Sequence, residues 1–441
     1  MSGPDRGLST TSAAALVVAN MIGMGVFVSA GFSLVELTRP VIIAAWVVGG
    51  VLALCGALAY GGLARRFPQS GGEYEYLRRT LHPTLGFVAG IVSLFAGFSA
   101  PVAAAAVALG TYAAPWLPSE LDPRWTGSAV LVLVAVQQLA GLRLAARIQD
   151  LAVGAKLVAI VALIVGGAVV IATRDPAITR EVVAGDAAKE FRIAALGVTL
   201  YYVMVSYSGW NAAAYIAGEV GDPERRVPRA LWLGTVTVTV LYVALNAVFV
   251  YAASDAELAG REAVALPAAT KLFGGWAADG LAALVVTALI TSISAMTMAG
   301  PRVYARMAEQ GAFPRMFAGG GHRPAILLQT GLAASMLWVG DLRELMEFVG
   351  FTLSLCSAAA VVGLLRQRRR EGRERVPIPG GVWPACVYVV TVVAIAVAAF
   401  GDAVAPSLYA LGIVGATAFA HWAWNRRGPW GRAAEVSDRR R

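Results

Sequence analysis

Long apolar stretches, parted by clusters of arginine, proline and glycine, dominate the pattern of the chain. A helix needs about 20 apolar residues to cross a bilayer core about 30 Å thick. We predict twelve such helices, called segments 1 to 12, over residues 13–37, 41–64, 84–113, 126–142, 150–172, 193–217, 229–253, 277–308, 324–340, 345–365, 382–400 and 404–425. Backbone groups in lipid must pair internally, and the alternation typical of a membrane barrel is absent from the sequence. The predicted fold class is therefore an all-α polytopic membrane protein.

Composition strengthens this prediction. Of the 441 residues, 58% are hydrophobic and 14% are charged, whereas soluble domains have about 45–50% and about 25%. These values exclude a disordered chain, a basic nucleic-acid-binding protein and a two-domain cytosolic enzyme. The three cysteines are too few for a disulfide framework.

The net charge of +9 comes from arginine, because only three lysines are present. Loops after even-numbered segments and the C-terminal tail are rich in arginine, whereas loops after odd-numbered segments are poor in it or balanced by acidic residues. The positive-inside rule then predicts that both termini lie in the cytoplasm.

Two apolar segments are interrupted at mid-span. Segment 1 contains Gly23-Met24-Gly25, and segment 6 contains Ser206-Tyr207-Ser208-Gly209. Each glycine weakens a helix by about 1 kcal/mol. Segments 1 and 6 each open a set of five, and an odd number of spans gives the two sets opposite orientations. Paired interruptions of this kind indicate a transporter binding site.

The chemistry of such a break fits a zwitterion. Freed N–H groups and the N-terminus of a half-helix favour a carboxylate, and freed carbonyls favour an ammonium group. Neither interruption contains a charged side chain, which favours a neutral α-amino acid as ligand. The alternative is that the glycines only allow close helix packing.

Lys156 is an ionisable residue inside segment 5, and such residues are functional by default. We interpret it as a cation that joins segment 5 to the break in segment 1 and to segment 8, where Ser292 and Ser294 offer hydroxyl groups. An ammonium removed from water can also lose its proton, so both a fixed cation and a proton carrier are possible roles. The alternative is snorkelling to the cytoplasmic interface.

Several further residues carry predictions. Residues 65–79 should form a cytoplasmic loop helix, with Tyr74 and Tyr76 packed under the core as structural residues or an inner gate. Glu219 should pair with a cytoplasmic arginine, and Trp210 should either pack or cover the substrate. The three histidines share no metal-ligand spacing, so no metal site and no cofactor are predicted.

Five motifs carry a family resemblance: Gly23-Met24-Gly25-Val26-Phe27, the sequence FPQSGGEYEY at 67–76, Tyr207-Ser208-Gly209-Trp210-Asn211, Gly218-Glu219-Val220 and Gly300-Pro301-Arg302-Val303-Tyr304. With them the chain resembles the amino acid–polyamine–organocation transporter superfamily, nearest its L-type amino acid transporter branch, over about residues 10–425. The resemblance implies a LeuT-like fold in the inner membrane. It would comprise a cytoplasmic segment (1–12), two inverted repeats (13–172 and 193–365), segments 11 and 12 (382–425) and an arginine-rich tail (426–441).

The resemblance also implies roles for residues. Backbone N–H groups of Gly23, Met24 and Gly25 would bind the substrate carboxylate. Backbone groups around the two breaks would complete the site and take the ammonium, namely those of Met21, Ile22, Val205, Ser206, Tyr207, Ser208 and Gly209. Tyr207, Trp210 and Asn211 are the candidate gates. Lys156, with Ser292 and Ser294, is the candidate coupling group, because it matches the family's lysine of sodium-independent transport.

Two positions depart from the family pattern, since Met24 replaces a common Ser or Thr and Val205 replaces a common aromatic residue. The predicted function is sodium-independent transport of neutral L-amino acids by exchange or facilitated diffusion, with no enzymatic activity. Proton symport is the alternative, and a membrane enzyme or amino-acid sensor is less favoured. The resemblance implies that eukaryotic relatives of this branch pair with a heavy subunit through a cysteine in the loop between segments 3 and 4. No disulfide-linked heavy subunit is expected here, because Cys55, Cys356 and Cys386 all fall within segments.

Overall fold

The computed structural model describes residues 7–23, 25–261, 264–319, 322–340, 342–402 and 404–427. Regular structure in these ranges is helical, apart from one bridge between Leu8 and Val220. The all-α prediction is confirmed. The predicted N-terminal segment and tail lie partly outside these ranges, and Met24 lies outside them entirely.

The helices of the described residues are numbered in chain order. They are α1 (Thr10–Met21), α2 (Gly25–Ser33), α3 (Arg39–Arg66), α4 (Glu73–Thr80), α5 (Pro83–Val92), a π-helical stretch (Ser93–Ser99), α6 (Ala100–Ala113), α7 (Pro123–Leu139), α8 (Leu142–Thr173), α9 (Pro176–Val183), α10 (Ile193–Tyr207), α11 (Ala212–Tyr215), α12 (Pro223–Ala252), α13 (Asp255–Leu258), α14 (Ala265–Phe273), α15 (Gly275–Glu309), α16 (Arg323–Val339), α17 (Leu342–Glu371), α18 (Trp383–Asp402) and α19 (Val404–Arg427).

Each of the twelve predicted segments contains at least one helix among its described residues. Segment 1 consists of α1 and α2, segment 3 of α5, the π-helical stretch and α6, and segment 6 of α10 and α11. Five stretches are long and apolar enough on their own to cross a membrane: Arg39–Arg66, Pro83–Trp116, Arg147–Thr173, Pro223–Ala252 and Gly275–Glu309. Shorter apolar helices cover Thr10–Met21, Ile193–Tyr207, Trp383–Val397 and Leu411–His421.

Two predicted loops turn out to be helical. Helix α8 begins at Leu142 instead of 150, and α17 continues to Glu371 instead of 365. Arginine, leucine and glutamine favour helices, so these polar ends extend the apolar spans. Each extension stops at a glycine with positive φ, Gly141 (128°) and Gly372 (90°).

The interrupted segments lie at the centre of the bundle. Helix α1 packs on α8, α12 and α15, and α10 packs on α2, α3 and α17. Helix α8 borders this centre and turns an apolar face outward, where Leu151 is 78% and Val158 is 70% exposed. An apolar face of this extent suits lipid contact. These features agree with a multi-pass membrane protein.

The predicted loop helix is present as α4, with Tyr74 and Tyr76 almost fully buried. Glu219 does pair with an arginine, because its carboxylate accepts from Arg302 Nε at 2.7 Å and Nη2 at 3.1 Å. Burial raises the pKa of Glu75 in α4, but its arginine neighbours outweigh this and hold the pKa below its usual value.

Candidate substrate cavity

The first helix break separates α1, which ends at Met21, from α2, which begins at Gly25. Gly23 N–H donates to the Met21 carbonyl at 2.8 Å, a tight local bond that interrupts the regular helical pattern. A Cβ atom on Gly25 would overlap the side chain and backbone of Ser206. Glycine at this position therefore lets segments 1 and 6 touch.

The second break separates α10, which ends at Tyr207, from α11, which begins at Ala212. Gly209 has a φ of 100°, a conformation that favours glycine. A Cβ atom there would also overlap Asn20, whose Nδ2 group donates to the Gly209 carbonyl at 3.5 Å. The two breaks are thus in direct contact.

A cavity of about 90 Å³ lies between the breaks. The predicted residues that line it are Met21, Gly23, Gly25, Val205, Ser206, Ser208, Gly209, Asn211 and Ser292. None of the described lining residues is charged. A site of this kind can accept a net-neutral ligand without burying an unpaired charge.

Three of the predicted substrate-binding or gating residues lie outside the cavity lining. Ile22 is fully buried. Tyr207 packs on Trp46 and donates its hydroxyl to the Trp46 carbonyl at 3.0 Å. The Trp210 ring is wedged between two tyrosine rings, with centroid distances of 4.7 and 5.7 Å. In this conformation Trp210 is a packing residue, and Asn211 is the candidate gate that faces the cavity.

Segments 3 and 10 supply walls that sequence reasoning missed. They contribute Gly97, Phe98, Pro101, Ala104, Ala105, Val349 and Leu353. Gly97 and Phe98 belong to the π-helical stretch Ser93–Ser99. Because π-helical turns inside α-helices are frequent at functional sites, the glycine and proline in this otherwise apolar span were a usable signal.

Lys156 lies behind the first break with 1% of its surface exposed. Its Nζ atom donates to the Thr291 hydroxyl at 2.9 Å, and the carbonyls of Ile22 and Ala19 accept from it at 3.4 and 3.5 Å. A cation is favourable at a helix C-terminus, where carbonyls lack partners within the helix. Lys156 therefore caps α1 and ties it to α8 and α15.

The hydroxyl partner of Lys156 differs from the two predicted serines. Successive helical residues are about 100° apart around the axis, so Thr291 faces α8 while its neighbour Ser292 faces the cavity. Ser294 accepts from Gln138 Nε2 at 3.0 Å. The predicted helix was right, and the predicted face was wrong.

Tyr242 of α12 joins the two breaks. Its hydroxyl lies 2.5 Å from the Met21 carbonyl and 3.2 Å from the Ser206 carbonyl. The residue is 1% exposed. No local sequence signal marks it, because its partners lie 221 and 36 residues away in the chain.

One polar atom at the cavity is left without a partner. Asn20 Oδ1 is buried and has no hydrogen bond within the described part of the chain. A buried acceptor without a donor costs about 1–3 kcal/mol, and an ammonium group carries three donors. Asn20 is therefore a candidate ligand-binding residue that sequence reasoning missed.

The known proteins that this chain resembles are amino acid permeases and transporters. A family model described as amino acid permease matches residues 8–419. The mouse Asc-type amino acid transporter 1 is 28% identical over 397 residues, which cover 87% of this chain and 74% of the transporter. The human large neutral amino acids transporter small subunit 2 is 27% identical over 378 residues, with 82% and 70% covered. The cystine/glutamate transporter of Pongo abelii is 28% identical over 367 residues, with 80% and 72% covered.

Proposed function

Because the chain belongs to the amino acid permease family, we propose that it is a sodium-independent secondary transporter of neutral L-amino acids that works by alternating access. Amino acid transport follows from the family. The neutral substrate rests on one observation, the cavity that both helix breaks line without a charged side chain. Exchange or facilitated diffusion is the proposed mode.

In the proposed binding mode, the substrate carboxylate meets the N-terminus of α2 at Gly25, because the Gly23 N–H is already bonded to the Met21 carbonyl. Unpaired N–H groups and the helix dipole favour an anion there. The ammonium group faces Asn20 Oδ1 and the carbonyls at the ends of α1 and α10. A carbonyl oxygen has two acceptor sites, so that of Ser206 can serve both Tyr242 and a substrate, whereas that of Met21 is already occupied by Tyr242 and the Gly23 N–H.

The size of the cavity favours small substrates. Ligand pockets are typically about 300–1,000 Å³, and this cavity is smaller, at about 90 Å³. Alanine, serine and threonine are therefore the proposed substrates. The walls near the side chain would be apolar, because Phe98, Val349 and Leu353 line that part of the site.

The helix contacts support the proposal of two inverted repeats in a twelve-span, LeuT-like bundle. If segments 1–5 are exchanged for segments 6–10, observed contacts turn into other observed contacts. The α1–α8 contact becomes α10–α17, α1–α12 becomes α10–α3, α6–α7 becomes α15–α16, and α8–α15 becomes α17–α6. The domain division at 13–172, 193–365 and 382–425 is proposed on this basis.

Lys156 is proposed as a fixed cation. Three oxygen acceptors surround its ammonium group, an arrangement that suits the charged form. Proton symport with Lys156 as the carrier is the competing mode. The inner membrane is the proposed location, as the family resemblance implies, and the arginine distribution supports cytoplasmic placement of both termini.

No disulfide-linked heavy subunit is proposed for this chain. All three cysteines are free and half-buried in α3, α17 and α18. The loop that joins segments 3 and 4 contains none.

The decisive test is transport by purified protein in proteoliposomes. Vesicles loaded with unlabelled alanine should take up labelled alanine at least several-fold faster than empty vesicles if the mode is exchange. Equal uptake by both would reject exchange, and acceleration by an inward proton gradient would establish symport. No saturable uptake of any neutral amino acid would reject the proposed function.

A further inference from the structure

A carboxylate without a cationic partner lies buried next to the cavity. Glu73, the first residue of α4, is 3% exposed. Its Oε1 atom accepts from the Tyr60 hydroxyl and from Asn211 Nδ2, both at 2.7 Å. Its Oε2 atom has no partner within the described residues, and no lysine or arginine there lies within ion-pair distance. Burying a charged carboxylate without a cationic partner is unfavourable in free energy. Glu73 is therefore a candidate for a functional role.

Asn211 connects this carboxylate to the cavity. It lines the cavity, and its Nδ2 group makes two hydrogen bonds, to Glu73 Oε1 at 2.7 Å and to the Tyr215 hydroxyl at 3.2 Å. An amide has two N–H donors and one carbonyl oxygen. Both donors are therefore used within the protein, one by the buried Glu73 and one by Tyr215, which also lines the cavity, and Oδ1 remains as the free group.

We propose that Glu73 is a positioning residue that fixes the amide of Asn211, so that its Oδ1 atom faces the cavity as an acceptor for a donor group of the substrate. The inference rests on the proposed function. A carboxylate can only accept, so it excludes the flipped amide, in which the Asn211 oxygen would face a second oxygen. The donor is either the ammonium common to all substrates or the hydroxyl of serine and threonine.

Glu75, two residues further along α4, is a matched control. It is also fully buried in this helix, but its carboxylate is surrounded by Arg78, Arg79, Arg306 and Gln310. It has no hydrogen bond to the cavity lining among the described residues. Removing its charge tests the loss of a buried carboxylate from α4 without changing Asn211.

The test is a double-mutant cycle on purified protein, read out as the Kd for alanine and for serine. Wild-type binding of alanine is measured first, and its absence would reject the proposed function instead of this inference. Glu73→Leu should weaken binding about ten- to a hundredfold, the range for losing a hydrogen bond to a charged group. Glu73→Gln keeps an acceptor oxygen but adds an NH2 group that allows the flipped amide, so it should weaken binding less than Glu73→Leu does. Glu75→Gln should leave Kd unchanged.

The energetic coupling between Glu73 and Asn211 decides whether the proposal holds. In an Asn211→Ala background, Glu73→Leu should cause no further loss, because Glu73 acts through Asn211. Independent, additive losses would overturn the proposal, and so would an equal loss from Glu75→Gln.

Equal losses for alanine and serine identify the ammonium as donor, and a loss confined to serine identifies the hydroxyl. If Glu73→Leu does not fold, Tyr215→Phe replaces it, with an expected loss of about threefold that also vanishes without Asn211.

Discussion

The two helix breaks are alike in sequence pattern but differ in how they are held. At the first break, the Lys156 ammonium binds the carbonyls of Ala19 and Ile22 directly. At the second, the donors that the described residues provide to the carbonyls are neutral: the Tyr242 hydroxyl, the Asn20 amide and backbone N–H groups. The charge near the second break, on Glu73, reaches it through the side chain of Asn211.

This difference suggests a division of labour. The first break is fixed to two long helices, α8 and α15, by a charge-assisted contact, which is roughly twice as strong as a neutral one. The second is attached to the short loop helix α4 and to neutral hydroxyl and amide groups. We expect loss of the Lys156 contact or separation of the two breaks to abolish function, and loss of a single neutral contact to reduce it by degrees.

The largest effect is expected from Gly25→Val. The added atoms would overlap Ser206 and push the two breaks apart, so substrate binding should become undetectable by calorimetry or thermal shift. Gly154→Ala is the control, because a Cβ atom there meets nothing within 4 Å. An unchanged alanine Kd in Gly25→Val would place the site elsewhere.

Lys156→Ala should lower the rate of alanine counterflow at least about tenfold, since it leaves carbonyls at the end of α1 without a donor at about 1–3 kcal/mol each. Lys271→Ala should transport normally, because Lys271 is exposed and its pair with Glu257 is a surface pair. Normal counterflow by a well-folded Lys156→Ala variant would contradict the bridging role.

Tyr242→Phe should have an intermediate effect. It removes one hydroxyl shared by the two breaks, worth about 0.5–1.5 kcal/mol, so the alanine Kd should rise about two- to tenfold. Tyr251→Phe on the same helix should not change it. A loss as large as that of Gly25→Val would mean that Tyr242 does more than link the breaks.

The smallest effect is expected from Ser29→Ala. Its hydroxyl lies 2.9 Å from the Ser206 hydroxyl and donates to the Gly25 carbonyl at 2.7 Å. Both bonds are neutral, so alanine Kd should change by no more than about threefold. A tenfold loss would show that neutral contacts matter as much as the Lys156 contact, and would remove the distinction between the breaks.

The sequence predicted those structural features that depend on residues close together in the chain. The glycine-bearing interruptions, the loop helix and the ion pair of Glu219 all followed from residue type and spacing. Contacts between distant segments did not, because the rotation of each helix depends on packing across the bundle. The hydroxyl partner of Lys156 was assigned to the right helix but to Ser292 and Ser294 instead of Thr291, and these serines lie about 100° and, in the opposite sense, about 60° from Thr291 around the axis. Tyr242, Asn20 and Glu73 were missed for the same reason.

The π-helical stretch Ser93–Ser99 allows the lining of the cavity to change through the insertion or deletion of a residue, without any substitution. A π turn holds one residue more than an α turn, since its bonds run from i to i+5. Deleting one residue from it would let segment 3 continue as a plain α-helix, and α6 would keep nearly its present orientation because the π turn absorbs the extra residue. The wall formed by Gly97 and Phe98 within the stretch would change, while Pro101 of α6 would stay in place. In evolutionary terms, a single-codon insertion or deletion here could switch the range of transported substrates while the other eleven segments keep their sequences.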